Sequence, residues 1–64
     1  MSEELETARR YRLHAAELRN IAQGMAAQPY RRTLLEVAQD YDNMASSLEA
    51  IDRTNSAVRT ARLH

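Results

Sequence analysis

The sequence predicts an all-α protein, an antiparallel two-helix hairpin with an alanine-rich coiled-coil seam. The first observation is a repeated apolar pattern, because residues 5–21 and 35–51 carry matching side chains thirty positions apart. Spacings of three and four place these side chains on one face of a helix, so both segments should form amphipathic helices. The second observation is a single glycine, Gly24, and a single proline, Pro29, between the segments, where one turn is expected. The repeated residues are Leu5, Ala8, Tyr11, Ala15, Leu18 and Ile21, followed by Leu35, Ala38, Tyr41, Ala45, Leu48 and Ile51.

The first helix is expected over about residues 3–25. Ser2 is placed to cap it, and three glutamates follow in the first turn, where the helix dipole favours negative charge. Alanine, leucine, arginine and glutamate dominate the segment, and all four are good helix formers. Gly24 weakens the last turn and marks a point at which the helix can end.

The turn is expected at about residues 26–29, and the second helix at residues 29–53 or longer. Pro29 suits the first turn of a helix and disfavours a helical conformation at Gln28, which precedes it. Residues 54–56 are threonine, asparagine and serine, which are weaker helix formers. The C-terminal tail that they begin therefore either frays or extends the helix.

Heptad positions place the small residues of each helix opposite the large residues of the other. Alanines take position a of both helices, and leucine, tyrosine or methionine takes position d. An antiparallel turn centred at residue 28 then matches one small and one large side chain in every layer, which is how closely spaced helices interdigitate. The predicted pairs are Ala8 with Leu48, Tyr11 with Ala45, Ala15 with Tyr41, Leu18 with Ala38, and Ala22 with Leu34.

The same register leaves one charged and one apolar flank. On the charged flank, Arg12 is expected opposite Asp42. A lone hairpin of this size buries little core, so we expect two hairpins to join along the apolar flank as a homodimeric four-helix bundle. The sequence leaves open a tetramer, a monomer with scattered surface apolar residues, and an opened hairpin that pairs between chains. The expected interface residues are Ile21, Val37, Met44, Ile51, His14 and Val58.

The composition of residues 1–64 indicates one small domain and argues against several classes of protein. There is no cysteine and there are only two histidines, so we expect no disulfide, no structural metal and no cofactor. Nine acidic residues balance nine arginines, and this neutral net charge argues against nucleic acid as a partner. No apolar run approaches the roughly 20 residues of a membrane span, and the acidic residues 1–6 are unlike a targeting segment. We therefore expect a soluble, cytoplasmic protein.

Few side chains are candidates for a chemical site. His14 and Glu17 are spaced like half of a helical metal site, but Glu17 falls on an outward position and no second pair exists, so no metal site is expected. Arg31 and Arg32 lie in the first turn of the second helix, where guanidinium and backbone N–H groups could hold a phosphate or an acidic partner. The simpler interpretation is that Arg32 pairs with Glu36 while Arg31 faces solvent. No nucleophile with a nearby base is apparent, so we expect no enzymatic activity.

Three segments carry a resemblance to a known group of proteins. They are YRLHAAELR at residues 11–19, RTLLEVA at 32–38 and YDNMA at 41–45. Together they resemble short uncharacterised helical-hairpin proteins of alphaproteobacteria, whose pattern is Y-R-x-x-A-x-E-x-R-x-L-A, a D-P turn and then L-L-x-x-A. The chain departs from that pattern at the turn, where Gln28 precedes the proline. The resemblance implies a hairpin fold and a bacterial origin, and it carries over no catalytic residue.

These observations support three hypotheses about function. The first is a small, self-associating helical module that binds other proteins in a structural, adaptor or regulatory role. The second is a nucleic-acid- or phosphate-binding regulator that uses the arginines of the turn and the tail. The third is a phage-type inhibitor or antitoxin that binds a larger enzyme, which sequence alone does not separate from the first.

Overall fold

Two α-helices and one short turn make up the part of the protein that the structure describes. A computed structural model describes residues 2–63, with side chains described as far as residue 62. Helix α1 spans Glu3–Gln23 and helix α2 spans Gln28–Leu63, and the two helices pack along each other as a hairpin. The predicted all-α hairpin is therefore confirmed. Met1 and His64, the last residue of the expected tail, lie outside the described residues.

The start of α1 is fixed by the expected serine cap. Ser2 has an extended backbone, with φ of −81° and ψ of 137°, and its Oγ accepts a hydrogen bond of 3.0 Å from the backbone N–H of Leu5. The carbonyl of Ser2 accepts a further bond of 3.2 Å from the N–H of Glu6. The serine hydroxyl thereby satisfies one of the backbone N–H groups that a helix start leaves unpaired, and the bond from Glu6 is the first of the regular helical bonds.

The turn lies at residues 24–27, two residues earlier than expected. Gly24 ends α1 in a right-handed conformation, with φ of −86° and ψ of −3°, so the turn does not use the left-handed freedom of glycine. The prediction that Gln28 precedes the second helix is wrong, because α2 begins at Gln28. The first hydrogen bond of α2 runs from the N–H of Arg31 to the carbonyl of Ala27, at 3.1 Å. Pro29 fits as the second helical residue, since its missing N–H would have had no partner there.

Helix α2 continues through the weak helix formers of the tail to Leu63. Thr54 and Thr60 each donate their hydroxyl to the backbone carbonyl four residues earlier, at 3.1 and 3.0 Å. These bonds satisfy both hydroxyls within the helix, and the propensity differences involved are only tenths of a kcal/mol per residue. The alternative of a continued helix, with Val58 on the apolar stripe, is therefore the one observed.

The core of the hairpin is a line of alanines. Every fully buried residue among those described is an alanine at heptad position a, and none of the large side chains reaches full burial. The residues predicted at position d are half-buried on either side of this line. The buried alanines are Ala8, Ala15, Ala22, Ala38 and Ala45. This burial pattern agrees with the predicted heptad assignment, while the individual layer pairs stay predictions.

Candidate interaction surface

The seam divides the surface of the hairpin into two broad faces, each built from both helices. Heptad positions e of the two helices lie on one face and positions g on the other. The first, here named the charged face, carries Arg12, Arg19, Asp42 and Glu49, with the exposed Leu5 and Leu35 toward its two ends. The second, here named the apolar face, carries Ile21, Val37, Met44, Ile51 and Val58, with His14 among them.

Arg12 is the centre of the charged face. Its guanidinium binds Glu49 through two hydrogen bonds, Nε to Oε2 at 3.1 Å and Nη2 to Oε1 at 2.6 Å. It also donates to Asp42 Oδ1 at 3.4 Å and to Ser46 Oγ at 3.3 Å. The predicted approach of Arg12 to Asp42 is therefore present. The fork geometry of arginine matches a carboxylate better than a single point charge does, so the stronger partner is Glu49.

A second arginine completes the network, because Arg19 donates to Asp42 Oδ2 at 2.6 Å. Neither Arg19 nor Glu49 was predicted as a member of this network. The available signal was their place on the e stripe, since Glu49 follows Asp42 by one heptad and Arg19 follows Arg12 by one heptad. The long side chain of Arg12 reaches both Asp42 and Glu49, which lie one heptad apart on α2, and a register of Cα positions does not reveal this reach.

The network shifts the ionisation of its two most closely bonded members. The hydrogen bond from Arg12 lowers the pKa of Glu49 below its ordinary value, and the positive charges of Arg12 and Arg53 act in the same direction. Desolvation opposes this shift without reversing it. The bond to Glu49 likewise raises the pKa of Arg12. Both groups are therefore held in their charged forms, and the charged face has its polar groups paired within the hairpin.

The apolar face has no comparable partners for its side chains within the hairpin. Its five aliphatic residues, Ile21, Val37, Met44, Ile51 and Val58, are between 38% and 54% exposed. Both helices contribute to the stripe, and four of its members recur at heptad spacing along α2. Apolar side chains that are grouped on one face in this way are typical of an interaction surface.

A shallow depression crosses the apolar face near the middle of the hairpin. Thr7 and Tyr11 line it from α1, and Met44 and Leu48 line it from α2. The half-buried d residues Tyr11 and Leu48 thus extend the apolar stripe down into the seam. Both helices contribute to this shallow surface. A small molecule needs an enclosing pocket, so the shape suits a helical partner better.

His14 lies on the apolar face beside an aromatic pair. Its ring centroid is 5.4 Å from that of Tyr41, which in turn lies 5.5 Å from that of Tyr11. His14 Nδ1 is 3.6 Å from Glu17 Oε2, and both side chains are more than half exposed. Among residues 2–62 no group of three or more histidine or carboxylate side chains is arranged to hold a metal ion. The sequence did not predict the aromatic pair, because the register placed each tyrosine against an alanine.

Arg31 and Arg32 lie near the turn, outside the apolar face. Arg31 is half-buried and Arg32 is exposed, and they line a surface depression with Gln28, Leu35 and Glu36 at the turn end of the charged face. The expected pairing of Arg32 with Glu36 is not formed, since no carboxylate of the described residues lies within 4.0 Å of either arginine. The depression is separate from the apolar face, so these arginines do not extend the expected interface.

Comparisons with known proteins place no further constraint on this surface. No protein-family model, no curated protein and no solved structure matches the chain. In the part of the chain that the structure describes, neither helix is both long and apolar enough to cross a membrane.

Proposed function

We propose that this chain is a non-catalytic helical module that works in the cytoplasm by binding proteins, beginning with a second copy of itself. Two hairpins join along their apolar faces into a four-helix bundle. The single observation that carries the proposal is the contrast between a charged face with paired groups and an apolar face with exposed aliphatic side chains.

The small core supports self-association. The chain exposes 5132 Å², whereas a compact monomer of this mass exposes roughly 4,200 Å². Five buried alanines contribute little hydrophobic free energy, because each methyl group removed from water is worth only about 0.8 kcal/mol. Covering the apolar face would add several larger side chains to the buried set.

The dimensions of the hairpin also fit a dimer. It measures 57 Å by 16 Å by 11 Å between Cα extremes, so its long faces can dock a second hairpin along their length. A charged side chain inside such an interface would be costly, and the aliphatic stripe contains none. Size and polarity therefore both favour a second helical surface as the occupant.

The proposal is tested with a matched pair of glutamate substitutions. Ile51→Glu places a charge on the apolar face. Leu13→Glu is the control, because it places the same charge at a position that is 59% exposed and lies outside the seam between the two helices. Sedimentation equilibrium measures the dimer dissociation constant of each variant. We expect Ile51→Glu to weaken the dimer at least about tenfold, since two unpaired charges must be buried, and Leu13→Glu to leave it within about twofold.

Equal behaviour of the two variants would contradict an interface on the apolar face. A wild-type chain that is monomeric alone but co-purifies in a one-to-one complex with a larger protein would instead support the inhibitor or antitoxin hypothesis. The first outcome is read from sedimentation equilibrium of the purified variants, and the second from the mass of the co-purified complex.

A phosphate-binding role is the second candidate, and one observation favours it. The guanidinium groups of Arg31 and Arg32 lie in the first turn of α2, with no carboxylate of residues 2–62 within 4.0 Å. Titration with a single-stranded oligonucleotide at low and at physiological salt tests it. Binding that falls steeply with salt and is lost in the double variant Arg31→Ala, Arg32→Ala would support this role.

A further inference from the structure

We infer that the second copy docks in the opposite direction, with the turns of the two hairpins at opposite ends of the bundle. This inference rests on the dimer proposed above and adds its orientation and register. In this arrangement α2 pairs with the partner's α2, and α1 lies over the partner's α1. The alternative places both turns at the same end, with α1 over the partner's α2.

The unequal lengths of the helices are the first argument. Helix α2 has 36 residues and α1 has 21. At the open end of the hairpin, Glu3 and Glu4 line a depression with Ser56 and Arg59, and α2 continues from there to Leu63, past the start of α1. Val58 lies where this extension begins, on the apolar stripe and 46% exposed. A partner must therefore reach the start of α1 to cover it.

The stripe of α2 is itself arranged for antiparallel pairing with a copy. Val37, Met44, Ile51 and Val58 are spaced by seven residues, and their midpoint falls beside Ser47. A two-fold axis at that point sets Val37 against the partner's Val58 and Met44 against the partner's Ile51. All four apolar side chains are then covered, and the small side chain of Ser47 allows close approach at the axis.

Charges distinguish the two orientations. With both turns at the same end, Glu17 of each copy would lie beside the partner's Asp40, and this like-charge approach would occur twice in the dimer. With the turns at opposite ends, Asp40 lies beside the partner's Thr54, which is uncharged, so this like-charge approach is absent. His14 then approaches the partner's Glu3, a pairing that is favourable when His14 is protonated.

The extension of α2 also has a place to bind in the opposed arrangement. It runs along the turn end of the partner, where Ile21 of α1 and Val37 of α2 are both exposed on the apolar face. Val58 would lie against these two side chains, so three helices cover one another at each end of the bundle. The overhang therefore completes the interface instead of projecting into water.

Distance measurement between spin labels tests the orientation. The chain has no cysteine, so Ala26→Cys introduces a single label in the turn, at an exposed position. In opposed hairpins, about 20 helical residues separate each turn from the two-fold axis, so at a rise of 1.5 Å per residue the two labels lie roughly 60 Å apart. With both turns at the same end, the labels lie within roughly 20 Å of each other. A short distance would overturn the inference and leave the proposed dimer intact. A monomeric sample without dipolar coupling would overturn both.

Disulfide formation provides a second measurement that does not depend on the turn. Single variants Val37→Cys and Val58→Cys are mixed and oxidised, and the Cβ atoms must approach within about 4.5 Å to react. We expect the disulfide between Val37→Cys and Val58→Cys to form at least about tenfold faster than a disulfide between two copies of either variant. Preferential self-linking of Val58→Cys would contradict the opposed arrangement, because it requires the two extensions to lie together.

Discussion

The phenol rings of Tyr11 and Tyr41 meet across the hairpin seam, with their centroids 5.5 Å apart and their planes inclined by 47°. The alanines beside them make this contact possible, because a methyl group leaves room for a ring to reach into the neighbouring layer. A tilted arrangement at this separation is favourable for the electrostatics of aromatic rings. The contact joins the seam to the apolar face, since the ring of His14 also approaches Tyr41, with centroids 5.4 Å apart and planes inclined by 38°.

The close approach of the helices depends on alanine at the buried positions. Ala15 is 0% exposed, whereas its neighbour Ala16 is exposed on the same helix. We expect Ala15→Leu to destabilise the fold by about 1–3 kcal/mol through overpacking, and Ala16→Leu to change it by less than about 0.5 kcal/mol. Urea unfolding at one fixed protein concentration measures both. Similar values for the two leucine variants would argue against the alanine seam.

Stability should depend on pH through Glu49. Its pKa is lowered in the folded protein by the hydrogen bond from Arg12, so the unfolded chain binds this proton more readily. The pair of Arg12 and Glu49 therefore contributes its full stability at pH values above the pKa that Glu49 has in the unfolded chain. This stability is lost as the pH falls through the lower pKa of Glu49 in the folded protein. Between about pH 7 and about pH 3 the free energy of unfolding should fall more for the wild type than for Glu49→Gln.

The matched control for this titration is Glu36→Gln, which removes an exposed carboxylate that has no arginine within 4.0 Å among the described residues. It should retain the pH dependence of the wild type. Identical pH profiles for the wild type and Glu49→Gln would show that the Arg12 pair contributes nothing to the folded state.

The hydroxyl of Ser2 should make a measurable contribution to the start of α1. Ser2→Ala removes the acceptor of the bond from the N–H of Leu5, and we expect a loss of about 1 kcal/mol in the free energy of unfolding. Ser56→Ala is the comparison variant, because Ser56 is an exposed serine within α2. It should be neutral or slightly stabilising, since alanine is the better helix former. A Ser2→Ala variant as stable as the wild type would contradict the cap.

Replacement of Gly24 by alanine should stabilise the protein. The φ of −86° suits any L-residue, and a Cβ added there would meet only the backbone oxygen of Ile21, at an ordinary contact distance of 3.6 Å. We expect a gain of about 0.4–1 kcal/mol, because alanine restricts the unfolded chain more than glycine does. Thermal unfolding followed by circular dichroism measures it. A lower midpoint would indicate that the turn in solution adopts a conformation reserved for glycine.

The main features of the fold could be predicted from the sequence because they follow from periodicity. Alanine at every seventh position, from Ala8 to Ala22 in one helix and at Ala38 and Ala45 in the other, specifies which line of each helix is buried. Ser2 was recognisable as a cap from its side chain and position. The contact of Arg12 with Asp42 follows from the antiparallel register and is present.

Other features depend on side-chain reach or on small energy differences, which a pattern does not contain. Glu49 is the closer partner of Arg12 because the guanidinium extends to a carboxylate further along α2. The end of α2 was left open because the helix propensities of threonine and asparagine differ little from those of the residues around them. The start at Gln28 was missed because the restriction before proline is a preference that one helical hydrogen bond can outweigh.

The most direct test of the account is the mass of the unmodified chain in solution. A single hairpin has a mass of 7.3 kDa. Sedimentation equilibrium of the wild-type protein across micromolar concentrations should give twice that mass, with dissociation appearing only on dilution. A constant mass of one chain throughout this range, with helical content unchanged, would contradict the claim that the apolar face binds a second copy.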